Sequence, residues 1–288
     1  MSTDDYRWSP PGLGEDETQE FFEPFVGVPP AAKPELAEWA MPDPLPSRMI
    51  PMSSFVRFQT ASHIDLGIHS PSARYPHDVL ETLIQFPDDV LIYYIDFILS
   101  HTRVWNTGAP IRFHELQEIL RRSGSNWMVS ERQGRYGLVE RVPAGVAQAA
   151  QHVMSPRDLA SSKLREAWDQ AYGATPSPSA AYHDAVKAVE ILTAPLISPK
   201  NNISTLGTAI RDLRNGKHKW EFVMAGSKHA TSVEHLVSVM ELLWHSQSDR
   251  HGHEDYKDVT SEEAKAAVLL ASTLVGWFSQ DALRRVEE

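Results

Sequence analysis

The sequence predicts a mainly α-helical protein with one small β-hairpin in its middle and an extended N-terminal tail. Three observations carry this expectation. Apolar residues recur at helical spacing through most of the chain beyond residue 77, as in Val233, Leu236, Val237, Met240, Leu243 and Trp244. Only around Gln133-Gly134 do two short apolar-containing runs read as paired strands. Residues 1–52 hold ten of the 20 prolines, and ten acids against three bases, which gives −7 of the chain's net −11.

In that first stretch the prolines forbid a long helix and the acids repel one another, so an extended tail is expected. Its aromatics, Trp8, Phe21, Phe22, Phe25 and Trp39, suit short anchors on another surface, that of a protein partner or of this chain itself. Residues 53–76 read as irregular, with His63, His69, Pro71 and Pro76. Helices are expected from His77 to Gln85 and from Pro87 to Thr102. In the second, Pro87 suits the first turn, Asp88 and Asp89 suit its N-terminus, and Val90, Leu91, Tyr94, Ile95, Ile98 and Leu99 form an apolar face.

Phe113 to Arg122 follows as a short helix, and residues 127–142 as the hairpin. A helix followed by a hairpin resembles the wing of a winged helix. From Arg112 to Arg165 there are nine bases and five acids, which makes Arg121, Arg122, Arg132 and Arg135 candidate nucleic-acid contacts. The same arginines also fit a solvated hairpin lid. The remainder is expected to be helical: 159–172, ended by Gly173; 181–192, with Ala185, Ala188, Val189 and Leu192 packing closely; a helix capped by Ser204; and two more flanking a polar turn. Three regions result: a tail over 1–52, a helical region with the hairpin over 53–154, and a helical domain over 155–288.

Composition narrows the function classes. With no cysteine, disulfides and thiolate chemistry are excluded, which fits a reducing cytoplasm. The polar, acidic start Met1-Ser2-Thr3-Asp4-Asp5 lacks a secretory signal, and no run approaches the ~18 apolar residues of a membrane span. The net charge opposes broad, non-specific nucleic-acid affinity.

Chemistry concentrates in Trp244-His245-Ser246-Gln247-Ser248-Asp249-Arg250-His251-Gly252-His253-Glu254. An apolar helical face precedes this turn. Behind it, Thr260 and Glu263 have capping-box spacing before an alanine-rich helix with Ala264, Ala266, Ala267 and Ala271. Helix, polar turn ending in Asp249-Arg250-His251-Gly252, and alanine-rich helix together resemble HEPN-type domains, in particular the C-terminal domain of abortive-infection proteins. With Ala185-Val186-Lys187-Ala188-Val189-Glu190, Thr205-Leu206-Gly207 and Leu243-Trp244, the resemblance extends to a set of actinobacterial and actinophage proteins and covers roughly residues 155–280.

The resemblance implies a helical bundle, a cytoplasmic setting in antiviral defence or toxin action, and a metal-independent endoribonuclease with no cofactor. Its sites are usually composite across a homodimer. It places the family's histidine, which handles protons at the 2′-hydroxyl or leaving oxygen, at His251. The family's arginine, which stabilises phosphate charge, belongs before it with four to six residues between the two. There the chain has Trp244, His245 and Ser246. His245 or the adjacent Arg250 would have to replace it, with Asp249 in support, or the site is degenerate and the domain only binds RNA or a protein.

Other readings of these residues stay open. Arg211 and His218 have the family's spacing on their own. His245, Asp249, His251, His253, Glu254 and Asp255 include ligand types for zinc, manganese or nickel, though not with zincin spacing. The turn also works as a plain clasp in which Asp249 pairs with Arg250. Chemistry and binding both therefore remain expectations for this turn.

Overall fold

The structure, a computed structural model, describes residues 11–12, 14, 23–101, 111–132, 134–201, 203–245 (His245 by its backbone) and 258–286. It divides into two compact units, Met1–Arg141 and Val142–Glu288.

The first unit holds five described helices, α1 (Lys33–Ala40), α2 (Ser53–Ser62), α3 (Pro76–Ile84), α4 (Asp88–Ser100) and α5 (Ile111–Arg122), then the hairpin β1 (Trp127–Arg132) and β2 (Arg135–Glu140). The strands are antiparallel, in register from Trp127 opposite Glu140 to Arg132 opposite Arg135. Gly134 takes φ +79° in the connection, a conformation that favours glycine. The core is built on Tyr94 of α4, whose ring stacks on Phe55 at 4.8 Å and meets Phe58 at 5.2 Å. Burial pushes the Tyr94 phenol up, well beyond the ordinary tyrosine range.

Two expectations are corrected here. Residues 53–76 are not irregular throughout, because α2 occupies 53–62 and buries Phe55 and Phe58 against Tyr94. The extended tail does not run to residue 52 either. Pro34 opens α1, which buries Leu36, Ala37, Trp39 and Ala40. Trp39 is fixed from both sides: its Nε1–H donates to the Arg112 carbonyl at 2.7 Å, and the Arg112 guanidinium donates to the carbonyls of Trp39 and Met41. Six of its eight residues are good helix formers, its proline sits in the first turn, and four apolar side chains leave water, at ~1.5–3 kcal/mol for each large one. Of residues 1–22, all but three lie outside the described residues, and the tail expectation there with them.

The second unit contains α6 (Ala144–Met154), α7 (Leu159–Tyr172), α8 (Pro178–Ile197), α9 (Leu206–Asn215), a 3-10 turn (Lys217–Lys219), β3 (Trp220–Phe222), α10 (Ser232–His245), α11 (Ser261–Ser279) and β4 (Leu283–Arg285). The central helix is α8, which packs against α7, α9 and α11. Ala181, Ala185 and Ala188 are fully buried on it, and such small side chains let neighbouring helices approach closely. Helix α7 starts at Asp158, which accepts from the Ser161 N–H at 2.8 Å. That bond holds the Asp158 carboxyl below the usual range. Helix α9 starts at Thr205 rather than Ser204.

The unit boundary lies thirteen residues before the expected one at 154/155, because α6 packs on α11. The strands β3 and β4, unforeseen in sequence, pair antiparallel with Trp220 opposite Arg285. No described helix is long and apolar enough to cross a membrane.

Candidate functional site

The turn singled out by the sequence joins α10 to α11. His245 is the last residue of α10, while Asp249, Arg250 and His251 lie outside the described residues, as do His253, Glu254 and Asp255. The described residues give the mounting of the turn.

On the α10 side the mounting is closely packed. The Tyr182 hydroxyl, buried on α8, donates to the Leu243 carbonyl at 2.9 Å. The next residue, Trp244, lays its indole on Gly207 so closely that a Cβ there would lie 2.6 Å from Cε2 and Cζ2. Helix α9 therefore begins against the end of α10. Its other half is tied to earlier turns of α10 by the ion pair Arg214–Glu241, and the following 3-10 turn by Lys217–Glu234. The two helices run antiparallel.

On the far side, the chain re-enters with Val259 buried and a complete capping box at α11. The Glu263 N–H donates to Thr260 Oγ1 at 3.2 Å, and the Thr260 N–H to Glu263 Oε2 at 2.8 Å. The Lys265 ammonium stands 5.7 Å from the Tyr172 ring at the end of α7. Gln170 of α7 in turn donates to Asp184 of α8 at 3.2 Å. The ends of α7 and α10 and the starts of α8, α9 and α11 thus converge where the turn is carried.

Sequence reasoning missed the polar groups beside this mounting. Asp184, only 8% exposed, faces Lys163 at 3.4 Å and His183 at 3.3 Å as well as Gln170. Lys163 also pairs with Glu166, and that bond raises its pKa above the ordinary lysine range. Glu190 accepts from the Leu206 N–H at 2.9 Å, which satisfies a free donor at the start of α9, and pairs with Lys187. The available signal was an acid at 184 and another at 190 on a helix otherwise rich in alanine and valine. No protein-family profile, curated protein or solved structure matches the chain.

The second Arg–His pair sits elsewhere. Arg211 is on α9 and pairs with its neighbour Asp212 at 3.1 Å, while His218 is exposed in the 3-10 turn beyond the helix. Gly207, on which Trp244 rests, lies at the start of α9, and His218 lies beyond its other end.

The four hairpin-region arginines, all in the first unit, do not form one open row. Arg121 pairs with Glu118 at 2.9 Å, three residues away on α5, and holds that carboxyl below its usual range. Arg122 pairs with Glu35 of α1 at 2.6 Å, and Arg135 donates to the Ser100 carbonyl at 2.8 Å. Arg132 turns inward. Its guanidinium crosses Gly137 to reach Asp96 of α4 at 2.5 Å, and a Cβ at 137 would lie 2.1 Å from it. The same Asp96 oxygen accepts the Leu138 N–H at 2.7 Å, so this pair fixes the hairpin to α4. Among the described residues no group of three or more His, Asp or Glu side chains is placed to hold a metal ion.

Proposed function

We propose that the second unit is a HEPN-like domain that cleaves RNA without a metal, in phage defence or as a toxin, with the turn after α10 as its centre. In this reading His251 moves protons and Arg250 answers the phosphate charge, with His245 and Asp249 in support. The observation that carries it is the mounting. Tyr182 on Leu243, Trp244 on Gly207 and the Thr260 capping box fix both ends of a short segment rich in histidine, arginine and acids. Fixed placement is what catalysis by positioning requires.

Balanced against this is a binding reading, in which the domain holds RNA or a protein without cutting. It is favoured by Trp244, which fills one of the family's arginine positions with a packed indole. The test is purified protein on total RNA, with and without EDTA, beside His251→Ala and Arg250→Ala. Cleavage that survives EDTA and falls by about 10²–10⁴-fold in His251→Ala, with an unchanged thermal transition, supports the enzyme. Cleavage equal in His251→Ala overturns it; no cleavage but retained RNA binding favours the binding module.

A further inference from the structure

We propose that the first unit carries a docking groove for a short peptide segment of a partner protein, one with an arginine or lysine among aliphatic residues. The groove has a volume of about 1150 Å³ and lies between α1, the loop that follows it, and α5. That exceeds a typical small-ligand cavity of ~300–1,000 Å³, and the groove is open along one side, as an extended segment requires.

Its floor is preorganised. Trp39 and Arg112 hold each other through the bonds between their side chains and backbones, and the guanidinium lies 4.9 Å from the indole centroid. Little ordering cost remains for a ligand to meet. Pro42, Ile50 and Ile119 add apolar wall, and Ile111 stands 79% exposed at the rim. An isoleucine left in water gains when a ligand covers it.

Charge selects the occupant. Five carboxylates line the groove against three arginines. Glu35 and Glu118 are answered by Arg122 and Arg121, and the Arg112 guanidinium serves backbone carbonyls. That leaves Glu38, Asp43 and Glu115 exposed with no ion-pair partner among the described residues, against Arg48, Arg112, whose charge the neutral carbonyls do not cancel, and the imidazole of His114, so carboxylates stay in excess. A basic segment is therefore complementary. The chain's own first 22 residues, with six acids and one base, are not.

The test uses the full chain on an array of heptapeptides with the central residue fixed as Arg, Lys, Gln or Glu and flanks drawn from Ile, Leu, Val and Pro. The best binders are then measured by fluorescence anisotropy. The expected result is binding with Arg or Lys at the centre, weakened by salt and about tenfold weaker in Glu38→Gln/Glu115→Gln, a surface double variant whose thermal transition serves as the fold control. No binding, preference for Gln or Glu, or equal affinity in the double variant overturns the proposal. So does binding that appears only after residues 102–110 are replaced by a Gly-Ser linker, which would make the groove this chain's own. Self-association abolished by Ile111→Asp would assign it instead to a second copy. None of these outcomes depends on RNA cleavage, and His251→Ala is expected to bind the same peptides.

Discussion

Replacing Gly207 by alanine would place a Cβ 2.6 Å from Cε2 and Cζ2 of Trp244 and 2.9 Å from Nε1. Ordinary carbon contacts lie near 3.5–4.0 Å, so the indole must retreat by about 1 Å. In an open helix the same change gains roughly 0.5–1 kcal/mol, because glycine loses more backbone freedom on folding. Here the overpacking term, about 1–3 kcal/mol, opposes that gain and wins. The net expectation is a loss of up to about 2.5 kcal/mol, centred near 1 kcal/mol, or a fall of roughly 2–4 °C in the second unit's thermal transition. Differential scanning calorimetry reads it directly. Trp244→Phe, with a smaller ring, should recover part of the loss in the double variant, and the cycle should give a coupling of about 0.5 kcal/mol or more. If Gly207→Ala raises the transition instead, the indole does not rest on residue 207. The closely packed mounting argued for the turn then fails with it.

Two further outcomes can be measured with the same protein. Asp96→Ala leaves the Arg132 guanidinium and the Leu138 N–H without their acceptor, so urea unfolding should show a loss of about 3–5 kcal/mol in the first unit; a loss below about 1 kcal/mol means the pair is not formed. The Glu234 carboxyl is held down to about 2 from 4.5 by the Lys217 ammonium and by the N–H and hydroxyl of Thr231. The unfolded chain takes up that proton first as pH falls, so this contribution is full at neutral pH and disappears between pH 4.5 and about 2. Circular dichroism across that window should show a shallower acid limb in Glu234→Gln, and identical limbs would refute the network.

Elements whose cause is local were legible in the sequence. The capping box at Thr260 and Glu263, the start of α7 at Leu159 and the hairpin around Gly134 are written in adjacent residues. Elements made by distant partners were not. Helix α2 offers only Phe55 and Phe58 as buried residues, and its partner Tyr94 lies more than thirty residues on. Strands β3 and β4 are three residues each and meet across some sixty residues of chain. The acidic, proline-rich composition of residues 1–52 hid α1, because composition averages over the four positions that are buried. At the candidate site, the spacing of His245, Asp249, Arg250 and His251 was readable, while Tyr182 has no motif to announce it and the run Thr205-Leu206-Gly207 does not tell that Trp244 rests on its glycine. Arg132 looked like any hairpin arginine until Asp96 of α4 appeared beneath it.

The first unit closes on itself late. Phe25 donates its N–H to the Gly124 carbonyl at 2.7 Å and accepts from the Asn126 N–H, and the Gly27 N–H reaches the Asn126 side chain 99 positions downstream. A ribosome adding ~5–20 residues per second takes about 5–20 s to make that partner. For most of this interval Trp39 and the buried face of α1 are made, while Arg112 and the hairpin do not yet exist. These are the seconds in which a nascent chain is open to a chaperone or a protease, and bonds this far apart in sequence also make refolding of the finished unit slow.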